Sequence, residues 1–271
     1  MKSTALKKYN QANNNTVKNH IEKKIDKSDI SIRYALFAYG GVTNHTAEWL
    51  AETSYKAGQM GIRFHSLSAN SSACIGANRN KGLSRFMKKT KDSVLLMIDR
   101  DMVPSSTNDL IDICLAALST DSIVSVVASK RKFGDGIVGN RADQKPVELG
   151  TDELQQATIA GTGIMAIPRT VIERIQDKAE SYCLEPRRDV DINEYHMGVR
   201  RCVNRELGWY HDWFGQMQVY KPDHGWMELG EDVSFCMRMH HWGERIFITD
   251  KYNIGHVGEY IFYPKDGLRD D

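Results

Sequence analysis

The sequence predicts an α/β fold in which a mostly parallel sheet is flanked by helices, and three features lead to it. Apolar runs of strand length alternate with helix-like segments four times before residue 130, the order that builds a parallel sheet with helices on both faces. The runs are continuous rather than alternating, as in Val94 to Ile98 (VLLMI), which suits strands covered on both faces. That run stops abruptly at two carboxylates, Asp99 and Asp101. Acids at a strand's carboxyl end lie where open α/β sheets bind ligands.

Taken in order, residues 1–30 are polar and hold seven lysines against Glu22, Asp26 and Asp29. They read as a flexible basic arm. Folded structure begins near Arg33, and Tyr34 to Tyr39 (YALFAY) reads as the first strand, stopped by Gly40-Gly41. A helix from Thr46 carries Trp49, Leu50 and Ala51, with Glu48 in its first turn and Gly61 as its stop. Ile62 to Leu67 reads as a strand, Ile75 to Met87 as a helix with Leu83 and Phe86 inward, and Val94 to Ile98 as the third strand. Ser105 and Ser106 suit the cap of a helix bearing Leu110, Ile111, Cys114, Leu115 and Leu118. Ser122 to Ala128 closes this half.

The second half is less regular. Residues 131–155 read as a long mobile loop. Gly161-Thr162-Gly163 opens a further strand, Ile164 to Ile167, and Pro168 suits the first position of the helix after it. Residues 181–228 combine polar and aromatic side chains, a pattern of segments that bind something. The chain thus divides into the arm (1–30), a regular β/α half (31–130) and a less regular half of the same domain (131–271).

Composition narrows the class. With 271 residues, 41% hydrophobic and 26% charged, the chain suits one soluble α/β domain. A net charge of +1 supplies no global field toward nucleic acid or membrane. Five cysteines without paired spacing fit a reducing cytoplasm. No run reaches the roughly 18 apolar residues of a membrane span, and the N-terminus lacks an apolar signal core. The expectation is a cytoplasmic protein.

Three groups of residues carry chemistry. Asp99-Arg100-Asp101 offers hard oxygen ligands for a divalent cation, although a polar loop can hold the same three residues. Glu231 and Asp232 follow Gly230 and open a helical pattern, where free N–H groups and the dipole keep carboxylates ionised. Acids are also common at helix starts for stability alone. His256, between Gly255 and Gly258 beyond a strand near Arg245 to Thr249, would complete an oxygen and nitrogen donor set that suits Mn. Cys236 and His240 sit four apart on one helix, but no second ligand pair accompanies them, so zinc is disfavoured.

In this order the pieces resemble GT-A fold glycosyltransferases, which are Rossmann-like and move a sugar from a nucleotide-sugar donor. The resemblance spans Tyr34 to Gly258. It runs through Ala38-Tyr39-Gly40, Ala77-Asn78-Arg79-Asn80, LLMIDRDM with its DxD, GTGIMAIPR at 161–169, GEDVSFCMRMHHWG at 230–243, and Gly-His-Val-Gly at 255–258. It implies a hexosyl- or pentosyltransferase that uses Mn2+ or Mg2+ and a nucleotide-diphosphate sugar, UDP-sugar favoured. Asp99, Asp101 and His256 would hold the metal. Ala38, Tyr39, Gly40, Arg79, Arg100, Gly161 and Gly163, with Asp99, would contact the donor. In inverting members the acid pair at this helix start supplies the general base, which maps onto Asp232, with Glu231 binding the acceptor; some retaining members carry a similar helix start, so the resemblance leaves the stereochemistry open. It makes residues 31–130 the nucleotide-binding half and residues 131–271 the acceptor-binding and catalytic half.

Alternatives remain at this level. A sugar nucleotidyltransferase shares fold and metal but usually needs a basic glycine-rich loop, and Gly40-Gly41-Val42-Thr43-Asn44 has no Lys or Arg. A glycoside hydrolase uses two carboxylates without a DxD. A nucleotide- or glycan-binding module would lack turnover. Trp209, Trp213 and Trp226 form either an acceptor-stacking platform or core padding. Arg187, Arg188, Arg200, Arg201 and Arg205 with the Lys-rich arm admit a nucleic-acid acceptor, such as hydroxymethylated bases of phage-type DNA. Five nearby acids nearly cancel those arginines. The main acceptor expected is a glycan hydroxyl.

Overall fold

The computed structural model describes residues 29–37, 42–67, 74–103, 106–129, 137–143, 145–179, 181–183, 209–221, 225–257 and 261–262. The basic arm up to residue 28, and the five arginines between 187 and 205, lie outside them.

The first half runs β1 (Ser31–Phe37), α1 (Asn44–Gln59), β2 (Arg63–Leu67), α2 (Ile75–Lys89), β3 (Val94–Asp99), β4 (Met102–Val103), α3 (Asp109–Thr120) and β5 (Ile123–Val126). The second runs β6 (Ala128–Ser129), β7 (Ile137–Arg141), β8 (Gln155–Ala160), β9 (Ile164–Pro168), α4 (Arg169–Ile175) and a 3-10 turn (Gln176–Lys178). It continues with β10 (Ser181–Cys183), β11 (Trp209–His211), β12 (Met217–Lys221), β13 (Gly225–Leu229), α5 (Glu231–His241), β14 (Ile246–Thr249), β15 (Gly255–Val257) and β16 (Ile261–Phe262).

Among the described residues the main sheet has nine strands in the order β2-β1-β3-β9-β5-β14-β8-β7-β6. The α/β class holds, but the sheet is mixed. β1 pairs in parallel with β2 and β3, and β5 with β14. β9 runs antiparallel between β3 and β5, and β6, β7, β8 and β14 pair antiparallel in turn. Connection length explains the difference. Parallel neighbours need a crossover of about a dozen residues or more, which α1 and α2 supply in the first half. In the second half β7 and β8 follow one another without a helix. β7 also replaces part of the loop expected over 131–155.

Period-two alternation divides the core. Ile32, Val94, Leu96, Ile98, Val124 and Ile164 face α1 and α3, through Trp49, Leu50, Leu110 and Ile111. Ala35, Phe37, Leu95, Met97, Met165 and Ile167 face α2, α4 and α5, through Leu83, Phe86, Val171, Ile172, Phe235 and Met239. β3 lies between β1 and β9, and Val94 to Ile98 are all fully buried.

Helix ends differ from expectation at three places. α1 starts at Asn44, capped by Thr43, whose hydroxyl accepts from Thr46 N, so Glu48 falls beyond the first turn. α3 takes its cap position at Asn108; Ser106 N donates instead to Asp109 Oδ2. Pro168 ends β9 and caps α4 rather than entering it.

Arg169 ties the two halves together below the sheet. Its guanidinium donates to the carbonyls of Asp92, Phe86 and Thr90 and to the Thr90 hydroxyl, and it stacks 4.4 Å from the centre of the Phe86 ring. These bonds hold the first residue of α4 against the C-terminal end of α2. Arg169→Ala should lower unfolding free energy by about 2–3 kcal/mol, from the lost charged hydrogen bonds, measured as a shift in the urea midpoint at unchanged slope.

Candidate functional site

The site is built where β3 ends. Alternation sends Leu95, Met97 and then Asp99 toward the α2 and α5 face. The chain then turns through Arg100 and Asp101 into β4. A polar stripe on α1 holds this turn. The Thr46 hydroxyl lies 2.8 Å from both Arg100 O and Met102 O, Thr43 N donates to Arg100 O, Trp49 Nε1 donates to Ser106 O, and Thr53 Oγ1 to Thr107 O. Thr46, Trp49 and Thr53 share one face at helical spacing and are buried. They hold the backbone carbonyls of Arg100, Met102, Ser106 and Thr107.

Helix α2 brings the positive charge. Arg79 is 1% exposed, and its guanidinium bridges two carboxylates: Nη2 donates to Asp99 Oδ1 (2.9 Å) and Oδ2 (3.1 Å), and Nη1 donates to Glu231 Oε1 (2.8 Å). The guanidinium carbon sits 5.9 Å from the ring centres of both Phe37 and Phe214. A buried charge must be paired in this way or its desolvation dominates. Burial pushes the Asp99 carboxyl up, and the charge and hydrogen bonds of Arg79 oppose that rise.

The approach of α5 to α2 depends on Gly76. A Cβ built there would lie 2.8 Å from Phe214 O and 3.4 Å from Glu231 Cβ. One turn on, Asn80 Oδ1 accepts from the N–H groups of Trp213 and Phe214, and its Nδ2 donates to Asp212. So α2 positions both the chain before α5 and the first acid of α5. Glu231 and Asp232 occupy the first turn, after Gly230. Asp232 Oδ1 accepts from Val233 N at 2.7 Å.

The other flank is a small three-stranded sheet, β16-β15-β4. Its register sets His256 opposite Met102, and Val257 N donates to Asp101 O. This brings His256 Nε2 to 3.3 Å from Asp101 Oδ1. Asp101 and His256 therefore fit as an oxygen and nitrogen pair for a first-row divalent cation. Asp99 is close enough to interact electrostatically with both, but its two oxygens accept from Arg79. Among the described residues no group of three His, Cys, Asp or Glu side chains is assembled around one metal position.

The remaining sequence candidates divide. Gly163 faces the site: a Cβ there would lie 3.8 Å from Asp99 Oδ2 and 3.3 Å from Met102 Sδ, and Gly163 O accepts from Asp99 N. Gly161 is structural in contact, its carbonyl accepting from the Ser125 hydroxyl at 2.5 Å. The Arg100 carbonyl is the one held by Thr46 and Thr43. Ala38, Tyr39 and Gly40 lie outside the described residues, as does Gly258. Trp209 pairs through its backbone in β11 with β10.

Trp213 is fully buried, so it belongs to the core and to no platform. Trp226 is the reverse, 72% exposed on the β12–β13 hairpin. It is paired in register with Tyr220, and the two rings meet edge-on at 5.6 Å. Cys236 is buried and exchanges hydrogen bonds with the backbone of Ala160, and burial raises its thiol pKa to about 12.

Sequence reasoning missed Thr46, Thr53, Gly76 and Tyr220. The spacing of Thr46, Trp49 and Thr53 along one helical face was the available signal for the first two. Nothing local marks Gly76, whose constraint comes from residues 214 and 231.

No family model matches the chain, and no curated protein sequence matches it. Among solved structures it is similar to A197 from STIV, with 14% identity over 87% of this chain and 91% of that one, at a TM-score of 0.48. It is also similar to GalNAc-T7, solved with UDP, GalNAc and Mn2+, with 12% identity over 84% of this chain and 43% of that chain, at a TM-score of 0.41. UDP-glucose pyrophosphorylase complexed with UDP-glucose gives 6% identity, 86% and 91% coverage and a TM-score of 0.41. The likeness is one of fold.

Two substitutions check how the site is positioned. Thr46→Val, close in volume, should cost about 1–2 kcal/mol by leaving buried carbonyls short of a donor. The loss should appear in thermal unfolding together with faster amide exchange over residues 100–103. Gly76→Ala should destabilise by a similar amount, about 1–3 kcal/mol from overpacking, because the nearest obstacle is backbone; an unchanged melting temperature would show that α2 and α5 can part freely.

Proposed function

We propose that the chain is a metal-dependent transferase that moves a hexosyl or pentosyl group from a nucleotide-diphosphate sugar, UDP-sugar favoured, to an acceptor hydroxyl. The observation that carries this reading is one cluster: Asp99 and Asp101 at the carboxyl end of β3, His256 at 3.3 Å from Asp101, and the acid-led helix α5 joined to Asp99 through Arg79. A cleft that binds a diphosphate and activates a hydroxyl needs this juxtaposition of cation ligands and free carboxylate.

Asp101 and His256, with Asp99, would hold Mn2+ or Mg2+. Such a cation, when bound, offsets the negative charge that gathers on the departing nucleoside diphosphate. Gly163 lies against Asp99 and the Met102 side chain, where a Cβ would meet Met102 Sδ at 3.3 Å, and it would border the diphosphate-sugar end of the donor.

The two acids of α5 take different parts. Glu231 has one oxygen on Arg79, while its other oxygen can accept a hydrogen bond from an acceptor hydroxyl. Asp232 has no such guanidinium partner among the bonds described and sits at the helix N-terminus. In an inverting displacement Asp232 would take the proton as the hydroxyl oxygen attacks the sugar carbon and the nucleoside diphosphate leaves. The exposed Tyr220–Trp226 pair, on the hairpin that leads directly into α5, would stack on an acceptor sugar ring.

A thermal-shift panel of UDP-, GDP- and dTDP-sugars, with and without Mn2+, tests the reading. One donor class should raise the melting temperature in the presence of Mn2+, and Asp101→Ala should abolish that shift; no shift with any donor would sink the proposal. Asp232→Asn should lower transfer by about 10²–10⁴-fold while the donor-induced shift persists. Trp226→Ala should raise the acceptor KM about tenfold with little change in donor KM, as expected for loss of one stacking contact of roughly 1–3 kcal/mol.

A further inference from the structure

Arg79 has a place in this cluster that phosphate or base recognition does not explain. Its charge is spent inside the protein. Both Asp99 oxygens and one Glu231 oxygen accept from its two terminal nitrogens, its side chain is 2% exposed, and Phe37 and Phe214 lie on either side. Its Nε is buried with no acceptor. Among the described residues the guanidinium is therefore hydrogen-bonded by two carboxylates, one at the end of β3 and the other on α5, the latter 152 residues from Arg79 in sequence.

We infer that Arg79 is a positioning residue that couples cation binding at Asp99 to the placement of Glu231. This rests on the metal-dependent reading given above. A cation and a guanidinium compete for the same Asp99 oxygens, because each carboxylate oxygen engaged by Arg79 presents less charge to a metal. When Asp99 turns toward a cation, Arg79 loses one of its two partners. Its remaining charge-assisted bond, to Glu231, then carries the whole of its pairing and tightens.

Binding on the donor side thereby orders the carboxylate on the acceptor side. The coupling is reciprocal, as linkage requires: anything that weakens Arg79–Glu231 strengthens Arg79–Asp99 and opposes the cation. The Phe37 and Phe214 rings, each 5.9 Å from the guanidinium carbon, leave it an apolar surrounding apart from the two carboxylates.

The test is Mn2+ binding by the full chain without nucleotide or turnover, read from the loss of the free-ion EPR signal. Arg79→Met should bind Mn2+ about tenfold more tightly, since a competing positive charge at contact distance is gone. The unbranched methionine also suits the slot between Phe37 and Phe214. In the absence of Mn2+ this variant should melt below the wild type, with two carboxylates left unpaired, and Mn2+ should recover most of the difference.

Glu231→Gln should bind Mn2+ severalfold more weakly than wild type although Glu231 is not a ligand. In the Arg79→Met background the same change should have less than a twofold effect. Arg79→Met binding no tighter than wild type, or a Glu231→Gln effect undiminished without Arg79, would overturn the coupling. Should Arg79→Met fail to fold, Glu231→Gln alone decides: unchanged Mn2+ affinity overturns the coupling and weakened affinity supports it. Wild-type protein that binds no Mn2+ at all would instead overturn the metal-dependent reading, and the coupling with it.

Discussion

One buried guanidinium serving two carboxylates is the interaction on which the site depends. Asp99 and Glu231 both carry negative charge into a partly desolvated space. Side by side without a counterion they would repel, and one would take up a proton. Arg79 removes that conflict and, in doing so, joins the β/α half of the chain to the half that follows the irregular segment. The usual objection to buried ion pairs is that desolvation cancels their attraction. Here one terminal nitrogen is shared by both Asp99 oxygens and the other donates directly to Glu231, so each carboxylate has a charge-assisted hydrogen bond.

The surrounding architecture keeps those three groups in register. β3 is the most enclosed strand of the sheet, with β1 on one side and β9 on the other, so the carboxyl end that delivers Asp99 has little freedom. The turn beyond it is gripped from one face by Thr46, Trp49 and Thr53, and from the other by β15 through Val257 N and the His256–Met102 pairing. α2 is an unusual helix for such a position. Asn78, Arg79, Asn80, Lys81 and Ser84 are all buried on it, so it docks through polar contacts as well as through Leu83 and Phe86. The cost is a packing tolerance as tight as that at Gly76.

The mixed sheet matters for the same reason. Because β9 runs antiparallel to β3, it begins where β3 ends, and Gly163 meets Asp99. A parallel strand in that slot would have put its own carboxyl end there instead, and the glycine pair before Ile164 would lie at the opposite edge of the sheet.

Much of this was legible in the residues. Continuous apolar runs and their alternation with helical patterns identified the strands and helices of the first half to within a few residues, because burial on both faces and 3.6-residue periodicity act locally. The same local logic pointed to Asp99, Asp101, Glu231, Asp232 and His256, since each sits at an element boundary where polar groups follow an apolar run. Tertiary structure decided the rest. Strand direction in the second half depends on connections and partners that no window of sequence contains. Trp213 and Trp226 have similar neighbours in sequence, yet one is fully buried and the other 72% exposed, because only the fold determines which face of a strand or loop meets the core. Arg79 read as a contact to the donor. Its contacts with residues 99 and 231 make it an internal counterion, and a pairing across 152 residues can be set only by the packing of helix against helix.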